Sequence, residues 1–111
     1  MANITAVLDA SILYSAALRD LVLSLAAKGL YRPLWSQLIH DEWTRSVITN
    51  HGDGPTIQAH IERTRQRMDT VFPDALADGF QTLIGSLTLP DPKDRHVLAA
   101  AIQAGAAVIV T

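Results

Sequence analysis

A short run near the start of the chain, Ile4–Leu8, limits the possible folds more than any other stretch. The run is mostly apolar with β-branched members, which predicts a strand buried on both faces. Strands of that kind belong to parallel sheets that are covered by helices on both sides. The run ends on an acid, Asp9, and a helical pattern follows at once.

The position of Asp9 permits two interpretations. In open α/β sheets, ligands bind just outside the carboxyl ends of the strands, so Asp9 is a candidate functional acid. Asp is also a preferred residue at helix starts, so Asp9 equally qualifies as the N-cap of the following helix. This stretch alone leaves both interpretations open.

Strand and helix patterns alternate through the first half of the chain. Residues 10–29 have apolar side chains at three- and four-residue steps, and Lys28-Gly29 is a typical helix end. Within this stretch, Arg19-Asp20 marks either a break between two helices or a polar face on one. Pro33 disfavours helix for the residue before it, so residues 30–35 are predicted to be a second strand.

Two further helices are predicted from start signals. Ser36 is a favoured N-cap, and the pattern after it predicts a buried stripe on one helix face. That stripe comprises Leu38, Ile39, Trp43, Val47 and Ile48. Pro55 suits the first position of the next helix, which places Arg63 and Arg67 one turn apart. These two arginines are candidate phosphate ligands, although charged helix faces are commonly just solvated.

The C-terminal part contains a second informative stretch, residues 89–102. Asp91 or Asp94 begins a helix that ends at Gly105, and residues 107–111 are predicted to be another buried strand. In this helix, Leu98, Ala101 and Ile102 form the predicted stripe, and Ala99 and Ala100 allow close packing on the sheet. His96 is predicted to be a surface residue near the crevice. A turn at Asp78-Gly79 and a short strand at residues 87–89 complete the prediction.

Composition narrows the class of protein. The chain has 111 residues, 49% hydrophobic and 18% charged, which predicts one globular domain over residues 1–111. The chain contains no cysteine, which excludes disulfides, thiolate metal sites and cysteine nucleophiles. It has neither a signal-peptide pattern nor a long apolar span, so a cytoplasmic protein without a membrane partner is expected.

Four acids fall where the predicted elements would bring them together: Asp9, Glu42, Asp91 and Asp94. Glu42 lies on the predicted inward face of its helix, where a lone carboxylate is costly unless it has a partner. The non-functional alternative is that Glu42 is a boundary residue that reaches water or Arg45. Clustered carboxylates repel one another unless a cation neutralises them, and Mg²⁺ or Mn²⁺ is the natural choice for oxygen ligands.

Three blocks resemble the successive motifs of the PIN domain family, in the branch that includes VapC-like toxins. They are Val-Leu-Asp9-Ala-Ser, His-Asp-Glu42-Trp, and Leu-Pro-Asp91-Pro-Lys-Asp94-Arg-His-Val-Leu-Ala-Ala-Ala. The resemblance covers nearly the whole chain in the correct order. It implies a three-layer α/β/α sandwich on a central parallel sheet and a metal-dependent ribonuclease site.

The resemblance also implies roles for particular residues. Asp9, Glu42 and Asp94 would be catalytic, metal-binding acids, and Asp91 an accessory metal ligand. Ser11 would position water or phosphate. The family pattern continues past a Thr-containing block to a fourth acid, which is absent here, so C-terminal elements are expected to be missing. The α-carboxylate of Thr111 is a weak candidate substitute, and an uncovered sheet edge is expected.

The leading functional hypothesis is a Mg²⁺- or Mn²⁺-dependent endoribonuclease, the toxin of a toxin–antitoxin pair. Its expected partners are an RNA substrate, an antitoxin protein and a second copy of the chain. The first alternative is a degenerate PIN module that binds RNA or a protein without cleavage, which the absent fourth acid favours. The second alternative is an α/β receiver of the response-regulator type, which also carries acids at strand ends.

Overall fold

The computed structural model describes residues 4–77, 95–106 and 108–111. Its strands are β1 (Thr5–Leu8), β2 (Arg32–Leu34) and β3 (Val108–Val110). Its helices are α1 (Ala10–Tyr14), α2 (Ala16–Ala27), α3 (Gln37–His51), α4 (Pro55–Val71) and α5 (Arg95–Ala104). None of these helices, over the ranges given, is long and apolar enough to cross a membrane.

The described strands form a parallel sheet in the order β2-β1-β3. The central strand β1 pairs on both sides, with Ala6 opposite Pro33 on one edge and opposite Val108 on the other. Val7 and Leu8 are fully buried in the core. Helices flank this sheet, so the predicted α/β class with a central parallel sheet is confirmed, as a PIN-like sandwich requires.

The local start and stop signals predicted most helix ends correctly. The Ser36 hydroxyl accepts a hydrogen bond from the backbone N–H of Ile39, and Pro55 occupies the first turn of α4. Gly29 and Gly105 adopt positive φ angles of 79° and 67° just after α2 and α5. A left-handed residue at that position is the usual helix end, and glycine adopts it without strain.

The break in the first helical region lies at Ser15, not at Arg19-Asp20. Ser15 ends α1 and caps α2, because its hydroxyl accepts a hydrogen bond from the N–H of Leu18. Arg19 lies inside α2 and is buried, and its guanidinium donates to the carbonyl of Leu13 at 2.7 Å. Arg19, which the sequence placed at a break or on a polar face, therefore lies in the core, where a hydrogen bond satisfies its guanidinium.

The predicted buried stripes are confirmed in part, since Trp43 and Ala101 are buried while other members are exposed. Leu38 and Ile102, both expected in buried stripes, are exposed. On α3 the polar side chains of His40 and Thr44 are buried instead. Ala99 and Ala100 are fully buried, which confirms the close approach of α5.

The prediction of a fully buried last strand is wrong. Val108 is 45% and Ile109 is 36% exposed, and β3 is an edge of the sheet in the described part of the chain. A strand is buried on both faces only where helices cover both, and the described elements leave this one partly open. The predicted turn at Asp78-Gly79, the strand at residues 87–89 and the helix start at Asp91 or Asp94 lie outside the described residues.

A buried histidine connects α3 to α4. Trp43 Nε1, which can only donate, bonds His40 Nδ1 at 2.9 Å, so the hydrogen of the neutral ring lies on Nε2. His40 Nε2 then donates to Asp69 Oδ1 at 3.0 Å, and Trp35 Nε1 donates to the same oxygen at 2.8 Å. Burial lowers the pKa of His40, and the hydrogen bond and charge of Asp69 oppose this only in part. Protonation would place a second N–H against the Trp43 donor.

This network predicts that acidification destabilises the protein. In the folded state His40 binds a proton less readily than in the unfolded state, where the pKa of a histidine is about 6.5. The contribution of His40 to the free energy of unfolding is therefore complete above that pH, and it decreases as the pH drops below it. One proton limits the slope to about 1.4 kcal/mol per pH unit. Urea unfolding between pH 5.5 and 7.5 measures it.

The matched control for this prediction is another histidine. The H60Q variant should keep the slope of the parent, because His60 is exposed. The H40Q variant should lose the histidine contribution to the slope, as well as some stability. An H40Q variant with an unchanged slope would contradict the assignment.

Candidate active site

The chain topology brings several element ends to the carboxyl edge of the sheet. α1 begins directly after β1, and α3 begins shortly after β2. α5 ends just before β3 begins, so the last turn of α5 lies near the amino end of that strand. Its first turn is about 15 Å away, at the carboxyl edge of the sheet. The candidate site is built from these ends.

Asp9 caps helix α1, which is one of the two interpretations that the sequence left open, and it lies at the carboxyl end of β1, where the other interpretation requires it. Its Oδ1 accepts a hydrogen bond from the N–H of Ala10 at 2.7 Å and so caps α1. Its Oδ2 accepts a hydrogen bond from the Thr111 hydroxyl at 3.2 Å. The backbone N–H of Asp9 also donates to the carbonyl of Val110. The carboxylate is thus held in place at the strand end while remaining only partly buried.

The structure places Ser11 and Thr111 beside Asp9. Their hydroxyl oxygens are 3.5 Å apart, and both residues are exposed. Thr111 reaches Asp9 through its side-chain hydroxyl, whereas the sequence prediction relied on its α-carboxylate. The Thr111 hydroxyl uses its one hydrogen on Asp9, which leaves the Ser11 hydroxyl as the group here that can donate to a phosphate oxygen.

Glu42 is bound by a histidine from α5. His96 Nε2 lies 2.7 Å from Glu42 Oε1, and the Glu42 side chain is 29% exposed. The partner that an inward-facing acid requires is therefore His96, neither water alone nor Arg45. The prediction of His96 as a surface residue is wrong, because the ring is buried between α3 and α5. Its Nδ1 has no hydrogen-bond partner in the described part of the chain.

The predicted acids Asp91 and Asp94 lie outside the described residues. Among those described, no three His, Asp or Glu side chains form a metal-binding group. The available donors nevertheless have suitable chemistry, because Asp9 and Glu42 contribute carboxylate oxygens and Ser11 and Thr111 add hydroxyls. Such hard oxygen donors suit Mg²⁺ or Mn²⁺.

The predicted RNA-binding arginines lie on α4. Arg63 and Arg67 are both exposed. The arginine between them, Arg65, points elsewhere, because it donates to Asp41 Oδ1 at 3.3 Å and to Gln37 Oε1 at 2.8 Å. Its pairing leaves the two flanking arginines as the candidates for phosphate contacts on this helix.

Sequence reasoning missed the role of His96, although a signal was present. Glu42 was predicted to face inward and to need a partner, and His96 lies two residues beyond Asp94 at the start of a helix. What the sequence lacked was the distance between Glu42 and His96, because only the folded chain brings residues so far apart in sequence together.

The parallel sheet and its edge of carboxylates and hydroxyls define an α/β protein with a candidate hydrolytic site. The sequence profile of the PIN domain matches residues 5–111. The chain therefore belongs to the PIN domain family, whose members are generally nucleases and usually use divalent metals. The predicted family is confirmed, and the receiver alternative is wrong. No curated protein matches the chain significantly.

The contact between Glu42 and His96 should have a measurable energy. We expect a double-mutant cycle with E42A, H96A and the double variant to give a coupling of about 0.5–3 kcal/mol, as for partly buried partners in direct contact. Chemical denaturation measures the four stabilities. A matched cycle between Glu42 and the distant, exposed Lys28 should give no coupling, and equal values in both cycles would contradict the assignment.

Proposed function

We propose that this chain is a divalent-metal-dependent endoribonuclease that hydrolyses RNA phosphodiester bonds. The observation that carries the proposal is the placement of Asp9, Ser11 and Thr111 at one strand edge, with Glu42 held by His96. Membership in a family that is generally nucleolytic supports the reaction class.

Asp9 and Glu42 would hold Mg²⁺ or Mn²⁺, together with Asp94 and the accessory Asp91. When bound, such an ion lowers the pKa of water and stabilises negative charge on the phosphate. Each described acid is already oriented by a partner of its own. Thr111 and the N–H of Ala10 fix the Asp9 carboxylate, and His96 fixes that of Glu42.

The remaining polar groups would bind the RNA strand. Ser11 presents a hydroxyl that can donate to a non-bridging phosphate oxygen, beside the Thr111 hydroxyl that is bonded to Asp9. Arg63 and Arg67 would contact phosphates further along the strand, where an arginine can bind two oxygens at once. The toxin hypothesis, the antitoxin partner and the dimer rest on the resemblance to VapC-like toxins and stay predictions.

The function is tested by cleavage of labelled single-stranded RNA with Mn²⁺ or Mg²⁺. The D9N variant keeps a side-chain oxygen for capping α1 but loses the charge, so it should fold and lose activity. We expect a loss of at least about 100-fold, as when a group that stabilises transition-state charge is removed. Chelation of the metal should abolish cleavage by the parent chain.

The control variant is D53N, because Asp53 is an exposed acid in the loop between α3 and α4. It should cleave at the parental rate. Cleavage that persists in D9N would overturn the assignment of the acid. Without cleavage, RNA binding by the parent chain would favour the degenerate PIN module, and calorimetry with Mn²⁺ would show whether the metal site exists.

A further inference from the structure

A second concave site lies away from the acids. A cleft of about 270 Å³ separates the region around the junction of α1 and α2 from α3 and α4. Its wall includes Tyr14, Arg19, Trp43, His51, His60 and Thr64. The reaction proposed above uses none of these residues, so the cleft requires a separate explanation.

The wall of the cleft contains a buried cation. Arg19 is only 8% exposed, and its Nη1 donates to the Leu13 carbonyl at 2.7 Å. Its guanidinium carbon lies 4.9 Å from the centre of the Trp43 ring, a cation–π contact. No carboxylate pairs with it among the described residues. Because a guanidinium has five donor hydrogens, it can still bind acceptors of a ligand in the cleft.

An aromatic pair lines the same cleft. The rings of Tyr14 and His51 lie 6.2 Å apart with an angle of 21° between their planes. The Tyr14 hydroxyl and His51 Nε2 are 3.4 Å apart. His51 is exposed, and flat side chains at an open cleft are the surfaces on which unpaired bases stack.

The cleft continues into the basic face of α4. His60 and Thr64 line it, and Arg63 and Arg67 follow at helical spacing on the same side. Nucleic-acid sites commonly combine stacking surfaces with cations that track the backbone. The charge of this face therefore suits an RNA strand that places a base in the cleft.

Helix α1 connects the cleft to the acid edge. Asp9 caps its start and Tyr14 is its last residue, about 7.5 Å further along the axis. Ser11 and Tyr14 are three residues apart and so share a face of the helix. A strand bound at Asp9 can therefore follow α1 to the aromatic pair.

We propose that this cleft binds one unpaired base of the RNA strand that the acid edge cleaves, and that it prefers guanine to adenine. The preference follows from Arg19, because guanine presents two acceptors, O6 and N7, that match a guanidinium. Adenine presents a donor in place of O6. The inference rests on the proposed function for its substrate class, but base binding itself requires neither metal nor cleavage.

The test is a binding measurement in EDTA, where no cleavage occurs. The ligands are short fluorescent oligouridylates with a single central guanine or adenine, read by anisotropy. The H51A variant should raise the Kd by about 5- to 150-fold, the range of one base–aromatic stack. R19K keeps the charge but loses the planar fork, so it should reduce the preference for guanine by about tenfold or more.

Two controls separate this inference from instability and from the proposed function. K28A, a cation at the end of α2, should bind like the parent, and thermal unfolding confirms that each variant is folded. H51A tests the cleft even if R19K does not fold, because His51 is exposed. Parental binding by folded H51A would overturn the inference, even if metal-dependent cleavage is observed. Binding that depends on His51 would support it, even if the parent chain cleaves no RNA.

Discussion

The parallel pairing of β1 with a neighbour on each side is the constraint on which the described structure depends. Parallel strands cannot be joined by tight turns, so the chain must cross over through helices, and the carboxyl ends of all strands share one edge. The register then decides which residues meet. Leu8 pairs with Val110, and the next residue of each strand, Asp9 and Thr111, therefore meet across 102 positions of sequence.

A carboxylate has two oxygens, so it can cap a helix with one of them and still make a second contact with the other. Asp9 uses Oδ1 for the first turn of α1 and Oδ2 for the neighbouring strand end. Its orientation is fixed by the fold before any substrate arrives, which reduces the reorganisation that a reaction would require. The orientation of the Glu42 carboxylate is also fixed by the fold, in this case by His96 on α5.

Features with local causes were predictable from the sequence. Ser36, Pro55 and Gly105 fix helix ends through bonds or φ angles within a few residues, and each was predicted correctly. Buried polar groups were not predictable in this way. Arg19 and His40 are buried because the Leu13 carbonyl, Asp69 and Trp43 satisfy them, and only the folded chain brings those partners together. The exposure of Ile102 and Val108 likewise depends on which faces are covered, and hydrophobicity alone does not specify that.

The anchoring of α4 has a consequence for how such a protein can diversify. The helix packs chiefly on α3, and Asp69 fastens its C-terminal part to Trp35 and His40. The N-terminal part of α4, around His60, faces the cleft and follows the loop at residues 52–54. Closer to the cleft, α4 is held by Arg65, which bonds Asp41 and Gln37 on α3, and by the buried side chain of Ile61. None of these contacts involves Asp9 or Glu42, so that loop can change in sequence without altering the contacts of either acid, and selectivity and chemistry can evolve separately.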